Sequence, residues 1–299
     1  MVAVTTPQAP TFGPVTKDDL YGAEIDGAGK SVEEIATEAK ERFPAHHAVY
    51  VRNFPTQPDA YIGFLSCFGE PLPNYGSKSG VESYQLHPCI NQVRYIERDG
   101  GGKFVHERGG PLYAHSARSW RKDRPPYFSM LMVEPGWRDE PEGSNGESIM
   151  VRWRDVLRLM RSRDPEQAEA AISLLSQTPI SFPANNVVEE ISDLPLIYPL
   201  HDAEDADDVG VRLKVDIMQK TELIREQVPD FDAYMGALSR FYEAANDPAV
   251  CASYSMDGGD LVLVDNNRFG HGRRSIVSAR EENGERKLNP RELWSVTVG

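Results

Sequence analysis

The sequence predicts a mainly β protein, with a β-sandwich core and helices packed on its faces. Three observations carry this expectation. Short runs rich in β-branched and aromatic residues recur along the chain, as in "AVYVRNF" (48–54), "YFSMLMVEP" (127–135) and "RELWSVTV" (291–298). The helical stretches are few and do not alternate with every strand, which argues against a parallel doubly wound sheet. Phosphate-cradling glycine spacing is absent, because "DGGGK" (99–103) lacks the GxxxxGK[ST] pattern. The length of 299 residues and a hydrophobic content of 40% suffice for one large core. We expect a flexible arm over 1–15 and a single domain over 16–299.

Taken in order, "SVEEIATEAKERF" (31–43) combines a Ser cap with an acidic first turn and predicts a helix. A strand follows over 48–54 and a second helix over 58–69, closed by Gly69 and the prolines beyond it. Residues 91–98 predict a strand and 99–110 a glycine-rich loop. The apolar run 127–135 has the length of a buried strand; an exposed loop (137–147) and a strand edge (148–153) follow. From Trp153 to Gln177 apolar residues recur at three- and four-residue spacing, as in a helix. Residues 201–208 are acidic and expected at the surface, 210–217 alternate like a strand, and 231–247 form a helix. "GGDLVLVDNNRFGHGRRSI" (258–276) predicts a turn, a core strand and a polar segment holding a His, and 291–298 a final strand.

A net charge of -14 argues against binding a nucleic-acid polymer, which needs a basic face. No apolar run is long enough to span a membrane, and the N-terminus lacks the pattern of a signal peptide, so a cytoplasmic protein is expected. The three cysteines are far apart and suit reduced thiols. Two basic islands, 118–124 and 268–274, suggest local pockets for anions and hence a small polar substrate. Oligomerisation is left open.

His115 and His271 lie near expected strand ends among polar residues. A non-haem iron(II) centre uses two imidazoles and one carboxylate on one face of the metal and keeps the other face open. The segment "GDLVLVDNNRFGHGR" resembles the distal-His segment of the clavaminate synthase/taurine dioxygenase-like family of Fe(II)/2-oxoglutarate oxygenases, through Gly259, Asp260, Asp265, Asn266, Arg268, His271, Gly272 and Arg273. "PLYAHSARSWRKDRPPYFSMLMVEPG" is similar to the proximal segment, with His115, Pro125, Pro126 and Tyr127 matching. The resemblance runs from about residue 48 to the end of the chain. It implies a double-stranded β-helix (jelly-roll) core, iron on His115 and His271, and O2 as cosubstrate. It also implies 2-oxoglutarate held by Ser148 and Arg291, since Arg pairs with a carboxylate through two parallel bonds. Arg286 is the competing anchor. Arg291 is preferred because it opens an apolar strand, whereas Arg286 sits in polar "ENGERK".

The resemblance fails at one position: Ala117 stands where the family places its iron carboxylate. A methyl group binds no metal. Its loss removes one negative charge and frees one coordination place, and chloride or bromide fills both deficits. This is the arrangement of the halogenases related to this family, and implies chlorination of an unactivated C–H bond. The alternatives are a hydroxylase changed to Ala at this place, a non-catalytic ligand-binding relative, and an unusual acid ligand such as Glu107 or Asp123.

Arg118 and Trp120 follow the clamp directly and are expected to face substrate. His106 and Glu107 could line the mouth of the pocket, Glu97 could meet a cationic amine, and Arg268 belongs to the second basic island. An amino acid or amine, and a nucleoside or nucleotide, are the two substrate classes considered.

Overall fold

The computed structural model describes residues 14–74, 86–97, 105–119, 121, 124–180 and 194–299. Most of the expected 1–15 arm, the first half of the glycine-rich loop, Trp120 and Asp123 lie outside the described residues. The chain opens with α1 (Lys17–Tyr21), β1 (Ile25–Asp26), α2 (Val32–His46), β2 (Ala48–Arg52) and α3 (Pro58–Ser66). Next come β3 (Asn91–Arg94), β4 (Leu112–His115), β5 (Tyr127–Glu134), β6 (Ser148–Arg152), α4 (Trp153–Arg163) and α5 (Pro165–Gln177). Short pairings β7 (Pro179–Ile180), β8 (Leu194–Pro195), β9 (Ile197–Pro199) and β10 (Val209–Val211) precede α6 (Ile217–Glu222) and α7 (Phe231–Ala245). The C-terminal part carries β11 (Cys251–Tyr254), β12 (Leu261–Asp265), β13 (Phe269–Arg273), the hairpin β14 (Ala279–Glu282) and β15 (Glu285–Leu288), and β16 (Glu292–Val298).

Two sheets face each other, in the orders β1-β2-β12-β5-β16-β3 and β11-β6-β13-β4. This is the expected jelly-roll sandwich. Period-two alternation explains its layers. In β12, Val262 and Val264 point between the sheets, while Leu261 and Leu263 point outward beneath α2 and α3. In β6, Met150 faces inward, while Ile149 and Val151 pack under α4, α5 and α7. Helices thus cover both outer faces, so strands buried on both sides read as continuous apolar runs.

Local signals account for most element ends. Ser31 accepts from the Glu34 amide at 3.2 Å and Glu34 accepts from the Ser31 amide at 2.7 Å, a reciprocal cap that starts α2. The helical pattern expected over Trp153–Gln177 forms two helices, because Pro165 cannot continue α4; Asp164 caps the new start by accepting from the Gln167 amide at 3.1 Å. The strand expected over 210–217 stops at Val211. Beyond it the Leu213 carbonyl accepts from the Ser116 amide at 2.8 Å, so the chain leaves its strand partner to support the loop after His115. The polar segment expected around His271 is strand β13, paired on both sides. No helix among the described residues is long and apolar enough to cross a membrane.

Candidate active site

Strand β13 runs between β6 and β4, with Phe269, His271 and Arg273 on its inner face. The glycines between them let neighbours close in on the other face. A Cβ on Gly270 would stand 2.2 Å from the Trp153 ring, and one on Gly272 would stand 2.2 Å from the Leu112 carbonyl. The strand is therefore wedged in place at the two positions that flank His271.

His271 is the register partner of His115 on β4, and the two ring centroids are 4.4 Å apart. The Phe128 ring stacks on His271 at 3.8 Å, with 20° between the planes. Nδ1–H of His115 donates to the Tyr113 carbonyl at 2.9 Å, which leaves the Nε2 lone pair available. Burial pushes the pKa of both imidazoles down, that of His271 strongly, and their mutual repulsion and Arg124 add to the effect on His271. Two neutral imidazoles side by side fit a divalent transition metal. Among the described residues no third His, Cys, Asp or Glu joins them in a metal-binding group. Glu107, the acid considered from the sequence, is buried beside His106 and does not complete such a set.

Ala117 follows in a loop held from several sides. Its amide donates to Asn266 Oδ1, and Asn266 Nδ2 donates to its carbonyl, both at 3.0 Å. Ser116 Oγ donates to the Val211 carbonyl at 2.6 Å, and Arg212 Nε donates to the Ser119 carbonyl at 2.9 Å. Arg118 adopts a left-handed backbone (φ 51°), is buried, and donates to the Pro73 carbonyl. The Ala117 methyl packs against the inter-sheet core.

Buried cationic side chains lie near the His pair. Arg273 lies two residues beyond His271 on the same face, directly across from Ser148. Arg291 is 3% exposed, and burial with the nearby charges of Arg273 and Arg138 pushes its pKa down to about 9. Burial likewise takes Arg273 to about 10. Among the described residues no carboxylate comes within ion-pair distance of either guanidinium. Arg273 donates to the Arg274 and Arg108 carbonyls, and the buried Glu147 partly offsets the charge of Arg291, so the two guanidinium groups leave a net positive field that suits an anion. Ser148 is buried and donates to Met256 Sδ at 3.2 Å. His106 lies near both Arg273 and His115: burial and these two charges take its pKa down to about 4 against the opposing pull of Glu107.

The surroundings of three further candidates are as follows. Arg268 does not present its charge to a substrate: it is 7% exposed and paired with Asp202, Asp208 and Asp265 at 2.7–2.9 Å. Glu97 is exposed and ion-paired with Arg286 at 2.5 Å, so neither is free for an amine or a cosubstrate. Between Arg286 and Arg291, only the latter is buried, and Arg273 is among the charges near it. Arg118 faces the Pro73 segment, while Trp120 lies outside the described residues. Asn266, Arg273 and Phe128 had no role assigned from the sequence. Arg273 was within reach of that reasoning, because it shares the two-residue period of His271.

The chain matches the taurine catabolism dioxygenase TauD, TfdA family over residues 5–296. Among solved structures it is similar to an asparagine oxygenase in complex with Fe(II), 2S,3S-3-hydroxyasparagine and succinate, with a TM-score of 0.60 and 14% identity over 89% of this chain and 78% of that one. It is also similar to the non-heme iron oxygenase OrfP in complex with Fe and alpha-ketoglutaric acid, with a TM-score of 0.57 and 15% identity over 89% of this chain and 79% of that one. No curated protein matches the chain. The chain belongs to the TauD, TfdA family of Fe(II)/2-oxoglutarate-dependent oxygenases.

Proposed function

We propose that this protein is an Fe(II)/2-oxoglutarate-dependent oxidoreductase of a small polar metabolite, and that a halide takes the metal place which Ala117 leaves open. The observation that carries the reading is the pairing of two neutral imidazoles that lack a carboxylate with a buried guanidinium that lacks one. His115 and His271 would hold the iron, with the Tyr113 carbonyl fixing the His115 tautomer. Arg291 would receive the distal carboxylate of 2-oxoglutarate, with Arg273 and Ser148 beside it. Bound iron, with 2-oxoglutarate and O2, supplies an oxidant able to take hydrogen from carbon. The chain's own part is to orient the cosubstrate, exclude water and keep the place at Ala117 free of a competing acid. Chloride there balances the charge a carboxylate would have supplied and makes a chlorinated product the expected outcome.

Hydroxylation at the same centre is the second reading, supported by the hydroxylated amino acid bound in the asparagine oxygenase structure. That complex, and OrfP bound to L-Arg, also favour an amino acid over a nucleotide as substrate. Anaerobic titration decides between the two. Fe(II) and 2-oxoglutarate added to the protein are expected to give the weak visible band of the chelate, and chloride to shift it and tighten binding. A band that ignores chloride removes the halide reading and leaves hydroxylation; no band removes the iron site.

A further inference from the structure

A cavity of about 350 Å³ lies where the end of α2, the start of α4 and the acidic segment 202–208 meet. His46, His47, Arg152 and Arg154 line it, with Arg268 and Phe269 at the start of β13. Ser148, Arg273 and Arg291 do not line it. Arg152 and Ser148 are the two ends of β6, so the cavity and the cosubstrate anchor lie at opposite ends of that strand. The basic groups are fixed to both sheets. His47 closes α2 in a left-handed conformation (φ 53°), and its carbonyl accepts from the Asp265 amide of β12 at 2.8 Å. Arg152 is the register partner of Phe269.

Among the described residues two carboxylates line the cavity, and they are held very differently. Asp208 is buried and shares Arg268 with Asp202 and Asp265, at 2.7–2.9 Å. Glu204 lies 3.3 Å from Arg154 and 3.4 Å from His47, and its side chain is 54% exposed. Arg154 Nε is buried without a hydrogen-bond partner. A buried donor without an acceptor costs free energy, and a guanidinium is best served by an anion that takes two of its N–H groups in parallel. The Glu204 carboxylate therefore occupies a place suited to an oxyanion while meeting its donors poorly.

We propose that this cavity is a second anion site, distinct from the cosubstrate anchor, for an oxyanion of the phosphate class, either free phosphate or a phosphate monoester. The ligand displaces Glu204 into solvent. Its oxygens accept from Arg154, including Nε, and from His47 Nε2 at the same time. Arg152, already paired with Asp155 at 2.8 Å, serves as a wall of the site. The volume is at the lower end of small-molecule sites, enough for a phosphate and part of an attached group.

The test is calorimetric titration of the metal-free full chain with sodium phosphate at constant ionic strength. One site is expected, with a Kd of about 1 mM or tighter. Glu204→Gln removes the internal competitor but not the donors, and should tighten binding several-fold. Arg154→Met should weaken it at least about tenfold. Arg291→Met should leave it unchanged, which separates this cavity from the cosubstrate anchor. Glu204 is at the surface, so its variant tests the site even if Arg154→Met fails to fold. Binding that Glu204→Gln does not strengthen overturns the proposal, as does binding lost in Arg291→Met or absent from both the parent and Glu204→Gln. Glycerol phosphate titrated alongside identifies the source: tighter binding than inorganic phosphate assigns a phosphorylated metabolite, and weaker binding assigns free phosphate. The titration needs no iron, so its result is independent of the histidine centre.

Discussion

The Asn266 side chain grips Ala117 from both ends of its peptide group, accepting from its amide and donating to its carbonyl at 3.0 Å each. A third bond, to the Pro125 carbonyl at 3.0 Å, ties the same carboxamide to the start of β5. The position of Ala117 is therefore set by a side chain on the strand connection that leads to His271.

Asn266→Ala is expected to lose about 3 kcal/mol of stability, because it leaves a buried amide and two carbonyls without partners. The drop should appear in thermal unfolding of the metal-free protein. Fe(II) affinity should fall as well, since the His115 loop loses its fixed position relative to His271. Unchanged stability would show that water replaces the carboxamide at little cost.

Ala117→Asp adds the third ligand that the two imidazoles lack. Fe(II) should bind at least about tenfold tighter in chloride-free buffer, equivalent to about 1.4 kcal/mol. The response of the iron chelate to chloride should disappear. A variant that keeps its chloride response would place the halide elsewhere.

Arg291→Met separates the cost of the buried guanidinium from its use. Without cosubstrate the variant should be as stable as the parent or more so, since a buried charge that Glu147 only partly offsets is replaced by an apolar chain of similar length. Its affinity for 2-oxoglutarate should fall by about 3 kcal/mol, a factor of roughly a hundred. Calorimetric titration and thermal shift check the two effects separately. Arg286→Ala, at the surface, should change neither.

Arg268→Ala breaks a buried ionic cluster and should cost about 3–5 kcal/mol. It should also change the acid limb of the stability profile. The Arg268 hydrogen bond holds the Asp202 carboxyl below its ordinary value of 3.8. Burial opposes the same effect at Asp208, yet Arg268 still holds that carboxyl low. Depressed carboxylates contribute stability above 3.8 that fades as pH falls through the lower folded values. The parent should lose this contribution in that acid window, whereas the variant lacks it at every pH. Parallel acid-unfolding curves for the two proteins would contradict the assignment.

The layers of the fold were legible because β5, β12 and β16 carry long apolar runs, and α2 carries its cap in its first residues. His115, His271 and Arg291 could be singled out because each sits in a local motif, and the structure pairs the two histidines across β4 and β13. Partners distant in the chain were not. Asn266 meets Ala117 across 149 residues, and nothing beside Arg268 reveals that Asp202 and Asp208 consume its charge. Glu97 looked available for the same reason, because its partner Arg286 lies on a hairpin near the other end of the chain. The alternation over 210–217 promised a strand, but its carbonyls and the Arg212 side chain are drawn to the loop after His115.

The interlock of Trp153 with Gly270, and of Leu112 with Gly272, bears on how such a protein can be altered. The ligand strand and the helical layer behind it cannot drift independently: a larger residue at 270 demands a smaller one at 153, and the main-chain carbonyl at 112 offers no such exchange. Diversity introduced for new substrates therefore belongs outside β13, and outside the loop after β4 that Asn266 and Arg212 hold. A library that randomises β13 would mostly sample chains that fail to assemble.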